Sequence, residues 1–148
     1  MAQILKSELG ITAVSLRIIA DARLRDFDAL WKAGQCHTAV YMAGYVVEEY
    51  LKCAICKTLK ISNLPTIFEY HDLESLLFYS GFDREIRADL TVFESFEEIN
   101  KNWKVEMRYE DPYSPKYVKF DNEFCVNMDK WLNDAKNGLV PWFRSRIL

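Results

Sequence analysis

Few side chains in this sequence are equipped for chemistry, and their types and spacing define three candidate groups. The first is Arg108 in "RYEDPYSPKYVK", where Tyr109, Tyr113 and Tyr117 alternate with Lys116 and Lys119. Guanidinium and ammonium groups neutralise phosphate, and phenol rings stack on bases, so this mixture suits a nucleotide or RNA. It would equally pin a proline-containing loop onto a helical core. The second group is the pair of histidines, His37 and His71. An imidazole titrates at about 6.5 and exchanges protons at neutral pH, which a phenol titrating at about 10 does poorly. His71 precedes Asp72 at a helix start, where a local hydrogen bond is the ordinary expectation. The third is "AVYMAGYVVEEYLK", in which Tyr41, Tyr45, Glu48 and Lys52 follow one another at helical spacing, with Glu48 placed to pair with Lys52 one turn on.

The cysteines give less. The "CAIC" pair, Cys53 and Cys56, has redox or metal spacing but lies deep in a helix rather than at the helix N-terminus that would activate a thiol. Cys36, Cys125, His37 and His71 do not repeat the paired spacing of a zinc site, so neither a metal nor a cofactor is expected. There is no Gly-rich phosphate loop, HExxH signature or nucleophile elbow.

These groups must be positioned by helices. Ile11, Val14, Ile18, Ala22, Phe27 and Leu30 predict a helix from about Ile11 to Ala33, stopped by Gly34. A second helix from about Gln35 to Leu59 follows at once, so the two should form an antiparallel hairpin. Its apolar face is Ala39, Ala43, Val46, Val47, Tyr50 and Ala54, and Tyr41, Tyr45, Glu48 and Lys52 lie outside it as an exposed or cleft-lining stripe. Gly44 predicts a close helix crossing. "ISNLPTIFEYHDL" is a connection broken by Pro65, with Asp72 capping a short helix that runs to Ser80 and is ended by Gly81. Asp83 is then expected to cap a third long helix carrying most of the acidic residues. Pro112 and Pro115 exclude a continuous helix after Trp103. Asp121 caps the last long helix, to about Lys136, and "VPWFRSRIL" reads as a short packed turn begun by Pro141.

The expected fold class is therefore all-α, an up-down bundle of four to five helices in a single domain over residues 1–148. No apolar run approaches the roughly 18 to 20 residues of a membrane span, and the start lacks a signal-peptide core, so a cytoplasmic location is expected. The net charge is −3. Residues 1–60 carry eight Lys/Arg against six acids, 61–100 two against nine, and 101–148 nine against seven. No run supplies the basic face of a protein that grips duplex phosphates, which disfavours non-specific DNA binding but leaves room for RNA contact through a few converging side chains.

A long helix ending "ALWKAGQCHTAVYMAGYVVEEYLK", then "HDL", then an acidic helix closed by "W" and "RY", resembles the HEPN domain (higher eukaryotes and prokaryotes nucleotide-binding) from about Ala22 to Leu132. The resemblance implies a homodimer, often encoded beside a minimal nucleotidyltransferase or within toxin–antitoxin and phage-defence systems. It also implies polar residues lining a shared cleft. Many members are metal-independent ribonucleases with an arginine followed, after four to six residues, by histidine. Arg108 matches the arginine, but Tyr113, Ser114 and Pro115 follow at the allowed spacings. The expectation is a protein that binds a nucleotide, RNA or a protein partner such as a nucleotidyltransferase, through Arg108, Tyr109, Tyr45, Glu48 and His71. The alternative is a metal-independent endoribonuclease in which Arg108 stabilises the phosphate and His71 exchanges the proton. A helical adaptor is the third possibility; its mark would be an exposed apolar stripe of Trp142, Phe143, Ile147 and Leu148.

Overall fold

The computed structural model describes residues 10–147, and within them the chain forms seven α-helices and no strand. These are α1 (Ala13–Lys32), α2 (Cys36–Leu59), α3 (Leu73–Tyr79), α4 (Asp83–Ala88), α5 (Leu90–Asn102), α6 (Asn122–Asn133) and α7 (Leu139–Ile147). The fold class is the expected all-α bundle, with more helices than four to five. Thr12 and Ser15 open α1 with reciprocal side-chain-to-backbone bonds, both 3.0 Å. Gly34, at φ +80°, turns the chain between α1 and α2. The hairpin is closed at its far end, where Ala13 N donates to Ser62 O and Leu64 N to Ile11 O.

Three expectations about helix boundaries need correction. The third long helix is two, because Asp89 leaves helical geometry (φ −99°, ψ 85°) between α4 and α5. Aspartate's short polar side chain favours such non-helical positions. Asp83 is not the cap: Phe82 stands there without a side-chain bond, and Asp83 sits in the first turn, where its charge suits the helix dipole and it pairs with Arg87 at 2.9 Å. Helix α6 stops at Asn133 rather than near Lys136, because the Asp134 carboxylate accepts the backbone N–H groups of Lys136 and Asn137 and folds the chain into a turn.

The C-terminal segment is a nine-residue helix instead of a turn. Pro141 is its third residue, inside the first turn, where a missing N–H costs no intrahelical bond. Trp142 and Phe143 are buried, Phe143 stacking on Tyr50 with ring centroids 5.7 Å apart. The apolar stripe that would mark an adaptor is thus absent at those two residues, and Leu148 lies outside the described residues. No helix among those described is long and apolar enough to cross a membrane.

Helix α2 is the axis of the molecule. It packs against α1, α3, α5, α6 and α7, and its buried residues go all the way round it, from Val40 and Val47 to Glu48 and Lys52. From Val46 to Cys56 only Glu49 is not buried, so that stretch has no solvent face on which to leave its polar residues. All four cysteines are free and buried, and burial pushes the Cys53 and Cys56 thiols up, away from the reactive thiolate.

One polar network ties both ends of the described chain to this axis. The Tyr50 hydroxyl donates to Asp21 Oδ1 at 2.6 Å, and Arg144 donates to that same oxygen at 2.8 Å and to the Tyr50 hydroxyl at 3.0 Å. Burial works against the Asp21 carboxylate, but the bonds from Arg144 and Tyr50 outweigh it and hold its pKa below the ordinary range. A lowered folded-state pKa stabilises above the unfolded value of about 3.9 and loses that contribution as pH falls through the folded value. Asp21→Asn is therefore expected to cost about 1 kcal/mol at pH 7. In urea melts the gap to wild type should stay constant from pH 8 to pH 5 and close below about pH 4.

Candidate functional site

The site is built on one buried carboxylate. Glu48 is 1% exposed and Lys52, one turn further along α2, 7%. Their Oε2 and Nζ atoms lie 3.3 Å apart. The pair expected at the surface is inside the protein, because α2 is covered on that side as well. The other Glu48 oxygen, Oε1, is 2.6 Å from His71 Nδ1. His71 does not make the local bond expected of a residue at a helix start. The three residues of "HDL" point to three different places. Leu73 is buried, the Asp72 carboxylate accepts the Glu74 and Ser75 N–H groups at the start of α3, and His71 reaches back to α2. The imidazole stays 42% exposed, with its Nδ1 fixed by Glu48.

A row of aromatic rings continues from the imidazole toward the start of α2. Tyr45 meets His71 edge-on at 6.2 Å, Trp103 at 5.4 Å and Tyr41 at 5.0 Å. The Tyr41 and Tyr45 hydroxyls are hydrogen-bonded at 2.9 Å. Burial, reinforced by that bond and by the nearby Tyr41 and Glu48, pushes the Tyr45 phenol well above its ordinary range. Tyr45 is consequently a neutral donor or acceptor and not a proton shuttle. Trp103 Nε1 donates to Tyr41 O at 2.8 Å. Gly44 explains how the indole comes so close: a methyl group on it would lie 2.1 Å from the ring. The expected helix crossing is in fact a slot for this tryptophan.

Trp103 also starts the segment that carries Arg108. After α5 the chain makes a 3-10 turn over Val105–Tyr109, anchored by buried Met107, with Arg108 and Tyr109 outside. The Arg108 guanidinium lies 4.6 Å from the Tyr109 ring centroid and beside the phenols of Tyr41 and Tyr45. Among the described residues no carboxylate comes within 4 Å of it. Glu110, which could have neutralised it, instead takes Lys116 and the Tyr117 hydroxyl. Two open grooves flank this turn. One, about 440 Å³, is lined by Tyr70, His71, Asn100, Trp103, Lys104 and Glu106, and the other, about 290 Å³, by His37, Tyr41, Met107 and Arg108.

The fold thus gathers Tyr45, Glu48, His71 and Arg108, with Tyr109 on the rim at 79% exposed. Tyr113 and Tyr117 lie apart from this group, lining a separate groove with His37 and Pro112. Tyr113, at the first position where the resemblance calls for histidine, is 89% exposed, while Tyr117 packs edge-on against His37 at 4.5 Å. Missed from the sequence were Trp103 as the floor of the row, Lys104 in the larger groove, and Glu49. Burial, and then the charge of adjacent Glu48, pushes the Glu49 carboxyl up to about 7. A raised carboxyl pKa favours folding below the unfolded value of about 4.3, and that advantage is lost as pH rises through the folded value near 7. Glu49→Gln, which cannot ionise, should gain on the order of 2 kcal/mol over wild type at pH 8 and little at pH 5, read from urea midpoints.

Among the described residues no group of histidine, cysteine or carboxylate side chains is arranged to hold a metal ion. Comparison of the chain with protein-family models, curated proteins and solved structures gives no match.

Proposed function

We propose that the chain is a HEPN-type protein that binds a nucleotide or RNA through its phosphate and base, at the turn of Arg108 and Tyr109 and across the two grooves beside it, one lined by Tyr41 and the other by His71, with Tyr45 between them. The observation that carries this reading is the guanidinium of Arg108, exposed, stacked on Tyr109 and unclaimed by any carboxylate among the described residues. An arginine fork left open beside phenol donors matches the geometry of a phosphate group, and the Tyr109 face suits a base. The order of motifs from Ala22 to Leu132 supports the same family, and with it a homodimer, a nucleotidyltransferase partner and a bacterial defence or toxin–antitoxin setting.

A second reading, metal-independent cleavage of RNA, is favoured by one specific contact. A half-exposed histidine held by a buried carboxylate through Nδ1 is arranged as a general acid or base is. Both readings are tested with one set of proteins: wild type, Arg108→Ala and His71→Ala, titrated with fluorescent single-stranded RNA and mononucleotides and incubated with RNA in EDTA. Binding that falls about tenfold in Arg108→Ala, with helicity unchanged, supports the cleft. Cleavage in EDTA that both variants lose establishes the enzyme reading. A wild type that neither binds nor cleaves removes both.

A further inference from the structure

A second concave site lies on the other side of Lys104. Its walls come from two short stretches with lysines at the same spacing, Lys101 and Lys104 at the end of α5, and Lys116 and Lys119 around the Pro115–Tyr117 turn. They close on a cleft of about 250 Å³ floored by Met107 and Phe120, both buried. Four lysines line it beside one carboxylate, that of Glu110, and Lys116 already pairs with it. Lys101 turns to Glu98 at 3.1 Å. Lys119 is held by a neutral oxygen, Asn102 Oδ1, at 3.0 Å; Asn102 is itself buried and fixed by its donation to Glu98 O at 2.8 Å. Lys104 has no carboxylate within 4 Å among the described residues.

The sequence gives no sign of this, since the stretch 101–119 also carries Glu106, Glu110 and Asp111. The concentration of charge is a product of the fold. Like charges gathered in a concave space raise the local potential and favour an anion that spans them. The cleft is smaller than the pockets of ordinary organic ligands, and its rings offer no free face, because Lys116 and Lys119 lie over Tyr117 and Phe120 at 5.1 and 5.3 Å. Lysine, unlike arginine, acts on phosphate as a point charge, so several lysines suit several linked phosphates.

We infer that this cleft binds a chain of linked phosphates, either a free polyphosphate or the triphosphate tail of a nucleotide, independently of the Arg108 site. The test is calorimetric titration of the full chain with tripolyphosphate, with orthophosphate for comparison. Wild type should bind tripolyphosphate at least about tenfold more tightly than orthophosphate. Lys104→Ala with Lys119→Ala should lose at least about tenfold, Lys104→Arg with Lys119→Arg should keep most of the affinity, and Lys130→Ala, an exposed lysine of α6 outside the cleft, should match wild type. Circular dichroism verifies that each variant is folded. Displacement by ATP with the same lysine dependence identifies the nucleotide tail as the source, and failure of ATP to displace identifies the free chain. No binding by wild type, equal affinity for orthophosphate, or a loss in Lys130→Ala equal to that of the cleft lysine variants would overturn the inference, the last by showing that any surface lysine serves.

Discussion

Gly44→Ala is expected to destabilise the protein by about 3 kcal/mol, against the usual direction for this exchange. A glycine inside a helix ordinarily gains about 0.5 to 1 kcal/mol on becoming alanine. Here the added methyl group would stand 2.1 Å from two indole carbons of Trp103 and 2.2 Å from a third. The ring cannot retreat cheaply, because its Nε1 is bonded to Tyr41 O and it packs against Tyr45. Expulsion of the indole should shift tryptophan fluorescence to the red and loosen the turn that presents Arg108. A double-mutant cycle separates this from any general effect on α2. In a Trp103→Ala background the slot is empty, and Gly44→Ala should become neutral or stabilising. A destabilisation of the same size in both backgrounds would show that the slot is not the cause.

The second large effect is expected at Glu48. Glu48→Ala removes the carboxylate that holds buried Lys52 at 3.3 Å and His71 at 2.6 Å. Leaving an ammonium buried without its partner costs about 3 to 5 kcal/mol, more than the pair itself contributes. Glu48→Ala with Lys52→Met, which removes both charges, should recover most of that loss in urea melts. Binding should not recover with stability, because the imidazole has still lost its anchor. If the double variant is as unstable as Glu48→Ala alone, the stabilising role lies with the His71 contact and not with Lys52.

Much of the fold was legible because its signals are local. The spacing of Phe27 and Leu30, the stop at Gly34 and the cap at Asp72 depend only on neighbours in sequence, although Val14 and Ile18, read into the same face, are exposed and Leu16 and Ala20 are buried instead. So does the Glu48–Lys52 spacing, one helical turn. What could not be read was that this pair is buried, since its covering comes from helices far along the chain. The same holds for His71, which bonds a residue 23 positions away, and for Trp103, whose partner across the Gly44 slot lies on another helix. The break at Asp89 and the early end of α6 were missed because single aspartate side chains redirected the backbone where the apolar pattern ran on. The lysine cleft is not legible along the chain, where Glu106, Glu110 and Asp111 offset the lysines, because only Glu110 of these three lines the cleft.

The enclosure of α2 also sets the order in which the molecule comes apart. Backbone amides exchange with solvent through openings whose cost rises with the buried contacts that must be given up. Those of α2, covered by five other helices, belong to the last unit to open. The segment 104–119 is held by Met107 and little else that is buried, and the connection before α3 resembles it. Glu48 and Tyr45 therefore stand on the element expected to exchange most slowly, while His71 and Arg108 stand on segments expected to open before it. The cleft has one fixed jaw and two hinged ones, so a ligand that bridges them should slow amide exchange at 104–109 and around His71 and leave α2 unchanged.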